Sequence, residues 1–147
     1  MNIRPATPDD ITGMMRIEQT CTSAAHWSER RYRDLFSESA PRRVTLVADH
    51  GNLAGFLVAS AIDAEWEIEN VIVEQNTRRQ GLGRKLVLKL LDQARKQKAG
   101  SVFLEVRESN LAARNLYQGL GFTQISRRSR YYSHPPEDAI LYRFEIV

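Results

Sequence analysis

Apolar residues recur along the chain with two different periods, which predict helices in some segments and strands in others. A spacing of three and four predicts amphipathic helices at about residues 7–21, 28–38, 81–98 and 110–120. Alternation or short apolar runs predict strands at 3–6, 43–49, 53–62, 65–73, 101–107, 122–132 and 139–146. This order predicts an α/β fold in which four helices flank both faces of a mixed, mostly antiparallel sheet of six to seven strands.

The strand predicted at 65–73 alternates between acidic and apolar residues. Glu65, Glu67 and Glu69 share one parity, and Val71 and Val73 continue it. Because side chains of equal parity point to the same face of a strand, we expect an acidic ridge that gives way to a buried zone on that face. Such a ridge suits a cationic amine or a basic peptide, and a solvated strand face explains it equally well.

The same strand leads into a glycine-rich turn that precedes the longest predicted helix. Gly81 and Gly83 lie in this turn, among Arg78, Arg79 and Arg84. A helix start presents backbone N–H groups at the positive end of the helix dipole, and glycine lets the backbone approach a ligand closely, so the turn suits an anionic phosphate. It matches neither the P-loop nor the Gly-x-Gly-x-x-Gly dinucleotide pattern. An ordinary helix start with flexible glycines is the alternative.

Composition bounds the class of protein. The 147 residues are enough for one domain with its own core, and we expect a single domain over residues 1–147. A formal net charge of +3 is compatible with a phosphate-rich ligand but too small to indicate nucleic-acid binding. No apolar run approaches the ~20 residues of a membrane span. The single cysteine, Cys21, excludes an internal disulfide, and we expect a cytoplasmic protein without membrane or nucleic-acid partners.

Motifs further along the chain add context to the glycine turn. The turn sequence Arg-Arg-Gln-Gly-Leu-Gly is followed by Leu-Glu-Val-Arg at 104–107, by Asn110 and by Leu-Tyr-x-x-Leu-Gly-Phe at 116–122. This ordered set resembles the GCN5-related N-acetyltransferase (GNAT) superfamily. Arg-x-x-Tyr-Tyr at 128–132 and Glu-Asp-Ala at 137–139, with His-Trp-Ser near the N-terminus, resemble the bacterial ribosomal-protein-alanine N-acetyltransferases, the RimI-like group.

The resemblance implies acetyl-CoA as the co-substrate and no metal. The glycine turn would hold the pyrophosphate, and the strand backbone would pair with the pantetheine amides like an added strand. Asn110 would hydrogen-bond the pantetheine arm, cap its helix, or do both. The implied acetyl-CoA contacts are Val71, Ile72, Val73, Arg79, Gln80, Gly81, Leu82, Gly83, Arg84 and Asn110.

Acetyl transfer to an amine needs a base for the proton of the amine and an acid for the leaving thiolate. Glu105 is the candidate base, because a carboxylate inside an apolar strand is costly without a partner or a function, and Glu69 is the rival. Tyr117 is the candidate acid. It follows Asn110 by about two helical turns, so both side chains can face one side. A solvent-facing Glu105 and a core Tyr117 are the alternatives.

The resemblance also implies the acceptor, which is the N-terminal amine of a protein, such as the N-terminal alanine of a ribosomal protein. Trp27, Glu69, Tyr131 and Tyr132 are the candidate acceptor contacts. A small-amine or lysine acetyltransferase is one alternative. An acyl-CoA sensor or interaction module without turnover is another. We expect a monomer or a weak dimer.

Two positions depart from the usual pattern of the RimI-like group. His26 stands where proline is usual, and Tyr142 stands where methionine is usual. Both lie in segments that we expect to contact the acceptor, so they bear on acceptor choice and not on the acetyl-CoA site.

Overall fold

The computed structural model describes residues 1–21, 27–38, 42–77, 80–133 and 135–146. Seven strands and four helices are present, in the predicted order. The strands are β1 (Asn2–Pro5), β2 (Arg43–Asp49), β3 (Leu53–Ile62), β4 (Glu65–Val73), β5 (Ser101–Arg107), β6 (Thr123–Ser133) and β7 (Pro136–Glu145). The helices are α1 (Ile11–Gln19), α2 (Glu29–Asp34), α3 (Leu82–Lys96) and α4 (Leu111–Gly119), with short 3₁₀ turns at Pro8–Asp10 and Gln75–Thr77. The predicted fold class is confirmed.

Most element boundaries lie within a few residues of the prediction, and two of the differences have a direct structural cause. Helix α2 ends at Asp34 instead of 38, because the chain after it closes into tight turns in which Leu35 N–H donates to the Tyr32 carbonyl. Strand β7 begins at Pro136, earlier than predicted, because Pro136 pairs with Ser133 at the closed end of the β6–β7 hairpin.

The strands form one sheet in the order β1-β2-β3-β4-β5-β7-β6. Strand β1 lies at an edge, where the missing N–H of Pro5 costs no ladder hydrogen bond. All neighbouring pairs are antiparallel except β4 and β5, which are parallel and are connected through α3. The predicted strand–helix–strand crossover is therefore confirmed.

The helices divide between the two faces of the sheet. Helices α1 and α2 pack on one face, where Met14 and Tyr32 lie in one buried cluster with Phe56. Helices α3 and α4 pack on the other face, where Leu86 and Tyr117 belong to the larger core. Of the helices within the described residues, none has the length and apolar character that a bilayer crossing requires.

Strand β4 contains a β-bulge that the alternation of its residues did not reveal. Val58 of β3 pairs with Asn70, and the next residue, Ala59, pairs with Ile68. Glu69 is thus an extra residue in β4, opposite no residue of β3. A bulge of this kind bends the strand, increases its twist and reverses the parity of the side chains beyond it.

The reversal corrects one prediction. Val71 and Val73 pack against the core under α3 and α4, together with Trp66 and Ile68, and not on the face of the acidic ridge. Ile72 takes the opposite face, in the cluster under α1 and α2. The prediction that Val71 and Val73 lie on the same face as the acidic ridge is wrong, because simple alternation holds only in a strand without a bulge.

Beyond the bulge, β4 and β5 separate. Their parallel pairing extends only from Glu65 with Ser101 to Glu67 with Phe103. The C-terminal half of β4 therefore has an edge without a strand partner on the side of β5. This divergence opens the sheet at the carboxyl ends of two parallel strands, which is where ligands bind in α/β folds.

Gly55 on β3 gives a test of how closely α3 packs on the sheet. An added Cβ would lie 3.0 Å from the Ile72 carbonyl oxygen and 3.2 Å from Leu82 Cδ2. We expect Gly55→Ala to lower the free energy of unfolding by about 1–3 kcal/mol, measured by urea denaturation. The control is Gly119→Ala, where an added Cβ meets nothing within 4 Å. It should not destabilise the protein, and an equal loss in both variants would contradict the close packing.

Candidate active site

A cleft of about 190 Å³ lies between the diverging ends of β4 and β5. It brings together side chains from four elements that are far apart in the sequence. Its lining includes Glu69, Val71, Glu105, Asn110, Tyr117 and Tyr132. Each of these was a predicted site residue, and the position of all six around one cleft follows from the separation of the two strands.

Glu105, the candidate base, lies on β5 with its carboxylate partly exposed in the cleft. Its side chain is 19% exposed, and Arg128 Nη1 of β6 lies 3.3 Å from Glu105 Oε1. The guanidinium of Arg128 also lies over the ring of Tyr131, 5.3 Å from its centroid. The carboxylate inside the apolar strand thus has a counter-charge from the β6–β7 hairpin.

Glu69, the rival base, is the bulge residue of β4. Arg43 Nη2 donates to Glu69 Oε2 at 3.3 Å, and Arg43 Nε lies 2.5 Å from Oε1. A second cation, Arg31 of α2, lies 3.8 Å from the same carboxylate. Two guanidinium groups therefore hold Glu69, which makes it less free than Glu105 to accept a proton from a ligand.

Glu67 was treated only as part of the acidic ridge, and the structure gives it a distinct environment. Burial raises the pKa of its carboxyl group, and the negative charges of Glu69 and Glu105 raise it further. Glu67 has no ion-pair partner among the described residues. The sequence marked Glu67 only by its position in the same alternation as Glu65 and Glu69. That pattern does not show which of the three acids lacks an ion-pair partner.

Tyr117, the candidate acid, is buried in α4 and lines the cleft. Its ring packs edge-on against Phe122, with the ring centroids 5.4 Å apart. Burial raises the pKa of its hydroxyl above the ordinary value of 10, so the phenol stays protonated at neutral pH. Asn110 lines the same cleft and caps α4, since its Oδ1 accepts the Ala113 N–H at 3.2 Å.

The glycine turn begins α3. Gly81 is the N-cap residue and has a left-handed φ of +74°, and no side chain caps the helix. The first N–H groups of α3 have no partner within the helix, as at any helix start, and here they lie beside exposed Gln80 and Arg84. Leu82 points inward to the core, so only its backbone is available to a ligand. The predicted contact Arg79 and its neighbour Arg78 lie outside the described residues.

The three aromatic candidates for acceptor contact occupy different places. Tyr131 is 52% exposed, and Tyr132 lines the cleft below the guanidinium of Arg107, 4.1 Å from its ring centroid. Trp27 is buried in the α1–α2 core, where its ring packs against Tyr32. The structure therefore brings Tyr132 and Tyr131 to the cleft mouth and does not bring Trp27 into the cleft.

The Glu-Asp-Ala segment braces the β6–β7 hairpin. Glu137 accepts the Ser109 N–H at 2.6 Å and pairs with Arg107 at 3.3 Å, and these contacts lower the pKa of its carboxyl group. Asp138 accepts the N–H of Arg130, which has a φ of +50°, and pairs with Arg127. Its pKa is lowered for the same reason. These carboxylates hold the hairpin against the turn between β5 and α4.

Tyr142, one of the two departures from the family pattern, does not contact the acceptor side. It is fully buried under α4, where its hydroxyl oxygen accepts from Arg114 Nε at 3.0 Å and from Gln118 Nε2 at 3.1 Å. Whatever its segment contacts, Tyr142 itself does not reach the acceptor side, because β7 directs it to the helix-covered face. The other departure, His26, lies outside the described residues.

The raised pKa of Glu67 has a consequence for stability. An acid with a raised pKa in the folded state destabilises the fold where it is ionised, and has no effect below its ordinary pKa of 4.5, where it is protonated in both states. We expect Glu67→Gln to raise the free energy of unfolding at pH 7 by less than about 1 kcal/mol, because water screens a half-exposed charge. The gain should disappear below pH ~4.5 in urea titrations. Exposed Glu65, changed to Gln, is the control, and a gain of equal size there would contradict the explanation.

Comparison with known proteins identifies the family of the chain. Residues 11–122 match the model of the acetyltransferase (GNAT) family. The chain is 34% identical over 135 residues to the [ribosomal protein bS18]-alanine N-acetyltransferase of Escherichia coli K12, covering 90% of this chain and 88% of the relative. It is 37% identical over 97 residues to the N-alpha-acetyltransferase RimI of Mycobacterium tuberculosis, covering 63% of this chain and 60% of that one.

Known structures agree at the level of the whole chain. The crystal structure of the ribosomal-protein-S18-alanine N-acetyltransferase from Escherichia coli superposes with a TM-score of 0.88 at 32% identity, covering 99% of this chain and 93% of that one. Ard1 from Thermoplasma volcanium superposes with a TM-score of 0.86 at 30% identity, covering 99% and 97%. The chain is therefore an acyltransferase of the acetyltransferase (GNAT) family and belongs to its RimI-like group of N-acetyltransferases.

Proposed function

We propose that this protein transfers the acetyl group of acetyl-CoA to the N-terminal α-amine of a protein, with N-terminal alanine of a ribosomal protein as the natural acceptor. The observation that carries the proposal is the cleft in which Glu105 and Tyr117 face one space between β4 and β5. The similarity to an alanine N-acetyltransferase over 90% of the chain supports the choice of acceptor. A ribosomal acceptor also implies action in the cytoplasm.

The residues around the cleft fit acetyl-CoA, which supplies an activated acetyl thioester when it is bound. Gly81 has open space where a Cβ would stand, so a phosphate can approach the uncapped start of α3. The edge of β4 beyond Glu67 has no strand partner on the side of β5, so its backbone can pair with the amides of an extended arm. Asn110 lines the cleft together with Glu105 and Tyr117.

The acid and the base would act from opposite walls of the cleft. The conjugate acid of an α-amine has a pKa of about 7.7–8.0, so a carboxylate needs to accept only one proton from the ammonium group to give the neutral amine. Glu105 would accept that proton, and the freed nitrogen lone pair would attack the thioester carbon. The carbon–sulfur bond would then break, and the buried hydroxyl of Tyr117 would donate its proton to the departing thiolate. The second proton, which the nitrogen loses as the amide forms, would restore the Tyr117 hydroxyl.

The charge around the cleft supports a cationic acceptor. Glu67, Glu69 and Glu105 lie on one surface near the cleft, and each is close enough for its charge to affect the others. Arg128 pairs with Glu105 and would be displaced toward Tyr131 as the ammonium group arrives. Tyr132 forms the wall of the cleft beside Glu105 and limits the space for the first side chain.

A peptide acetylation assay tests the acceptor. Peptides with a free N-terminal alanine should release CoA and gain 42 Da by mass spectrometry when acetyl-CoA and the enzyme are present, with about a hundredfold preference over the same peptides blocked at the N-terminus. Free lysine and small primary amines are the matched competitors. Reaction of only those amines would contradict the N-terminal assignment, and tight acetyl-CoA binding without any turnover would contradict an enzyme.

Two substitutions test the roles of the acid and the base. Tyr117→Phe should lower kcat roughly 100-fold with little change in the Kd for acetyl-CoA, because it removes one proton donor. Tyr32→Phe, the same change at a buried tyrosine of the other core, is the control.

Glu105→Gln should leave activity that rises with pH as the amine loses its proton in water. A wild-type pH–rate profile in that variant would transfer the base role to Glu69.

A further inference from the structure

A second depression lies on the same side of the sheet as Glu105, toward the β3–β4 turn. We call it the hairpin groove, and its lining includes Ser60, Ile62, Asp63, Glu65, Glu67 and Phe103. Its volume is about 360 Å³. Among the described residues, no helix covers this part of the sheet, because α1 and α2 pack over β3 and the end of β4. The groove and the active cleft are therefore neighbours on one uncovered surface.

The charges of the hairpin groove are uncompensated. Glu69 and Glu105 beside the cleft each pair with an arginine. In contrast, Asp63, Glu65 and Glu67 have no ion-pair partner within the described residues, and no cation lines the groove. Burial raises the pKa of the Glu67 carboxyl group, and the negative charges of Glu69 and Glu105 raise it further. A cation in the groove would relieve the repulsion that the protein alone leaves in place.

The rest of the lining suits a long cationic side chain. Phe103 is partly exposed and Ile62 is 53% exposed, so both present apolar surface to the groove. Ser60 is only 6% exposed and lines the groove, and its hydroxyl has no hydrogen-bond partner among the described residues. The alkyl stem of lysine or arginine would pack on the apolar surface, while its N–H groups reach the carboxylates and the Ser60 hydroxyl.

We propose that the hairpin groove binds a lysine or arginine side chain of the acceptor protein, downstream of the residue that is acetylated. The proposal rests on the function proposed above and adds a specificity determinant to it. Phe103 is two residues from Glu105 on β5 and lies beside Glu67. Glu65 precedes Glu67 by two residues on β4, so the groove extends about 7–13 Å from Glu105 along the strands. An extended acceptor spans this distance with its third to fifth residues.

A charge scan of the acceptor tests the proposal. The substrates are octapeptides that begin with alanine and otherwise contain neutral polar residues. Each has a single arginine at one position from two to six, and the peptide without arginine is the neutral reference. We expect wild-type enzyme to show about fivefold higher kcat/KM when the arginine occupies a position from three to five, because one partly exposed ion pair contributes up to about 1 kcal/mol. The quantity compared is the ratio of arginine to neutral peptide within each enzyme, so a general loss of activity cancels.

Variants of the groove locate the effect. The double variant Glu65→Gln with Glu67→Gln should reduce the kcat/KM ratio of arginine to neutral peptide to about one. The variant Glu65→Lys should instead prefer a peptide with glutamate at the same position. Misfolding cannot produce such a reversal. Asp92→Asn is the matched control, because this carboxylate pairs with Lys96 on α3, on the opposite side of the sheet. That variant should keep the wild-type ratio.

The outcomes separate the two proposals. If wild-type enzyme acetylates no peptide, the proposed function is overturned and the groove proposal with it. If wild-type enzyme acetylates all peptides at equal rates, only the groove proposal is overturned. The same holds if the preference for arginine survives unchanged in the Gln double variant, since the cation would then bind elsewhere.

Discussion

One extra residue in β4 separates the end of this strand from β5, and the active cleft exists because of that separation. Glu69 has no partner on β3, so β4 bends there and its parallel pairing with β5 extends no further than Glu67. A regular strand would continue the ladder and close the sheet, since backbone N–H and C=O groups seek hydrogen-bond partners. The bulge leaves one strand edge open, next to the helix that carries Tyr117.

Arginines decide which carboxylates on this surface are available to a ligand. Arg43 and Arg31 pair with Glu69, and Arg128 pairs with Glu105, whereas Glu67 forms no ion pair within the described residues and feels Arg128 and Arg43 only at longer range. Among the described residues, the cation that pairs with Glu105 is an exposed side chain of β6, and exposed ion pairs are weak. The surface is thus arranged to receive positive charge.

The β6–β7 hairpin completes the cleft only because acidic side chains hold it. Glu137 binds the turn after β5, and Asp138 binds the left-handed Arg130 of β6. Left-handed backbone is uncommon for a residue with a side chain, so the contact with Asp138 stabilises a conformation that is otherwise unfavourable. The Glu-Asp-Ala segment therefore acts through the position of Tyr131 and Tyr132, and not by contact with the cleft.

The sequence by itself determined the elements and the fold class, because hydrophobic period, helix caps and glycine turns are local properties. Helical spacing showed that Asn110 and Tyr117 can face one side, and the resemblance to the GNAT superfamily supplied the roles of the candidates at the cleft. Only the tertiary structure decided the bulge at Glu69, the burial of Tyr142 under α4, the core position of Trp27 and the lack of an ion pair at Glu67 among the described residues. These depend on the register between strands and on which cation reaches which carboxylate, and contacts between distant residues set both.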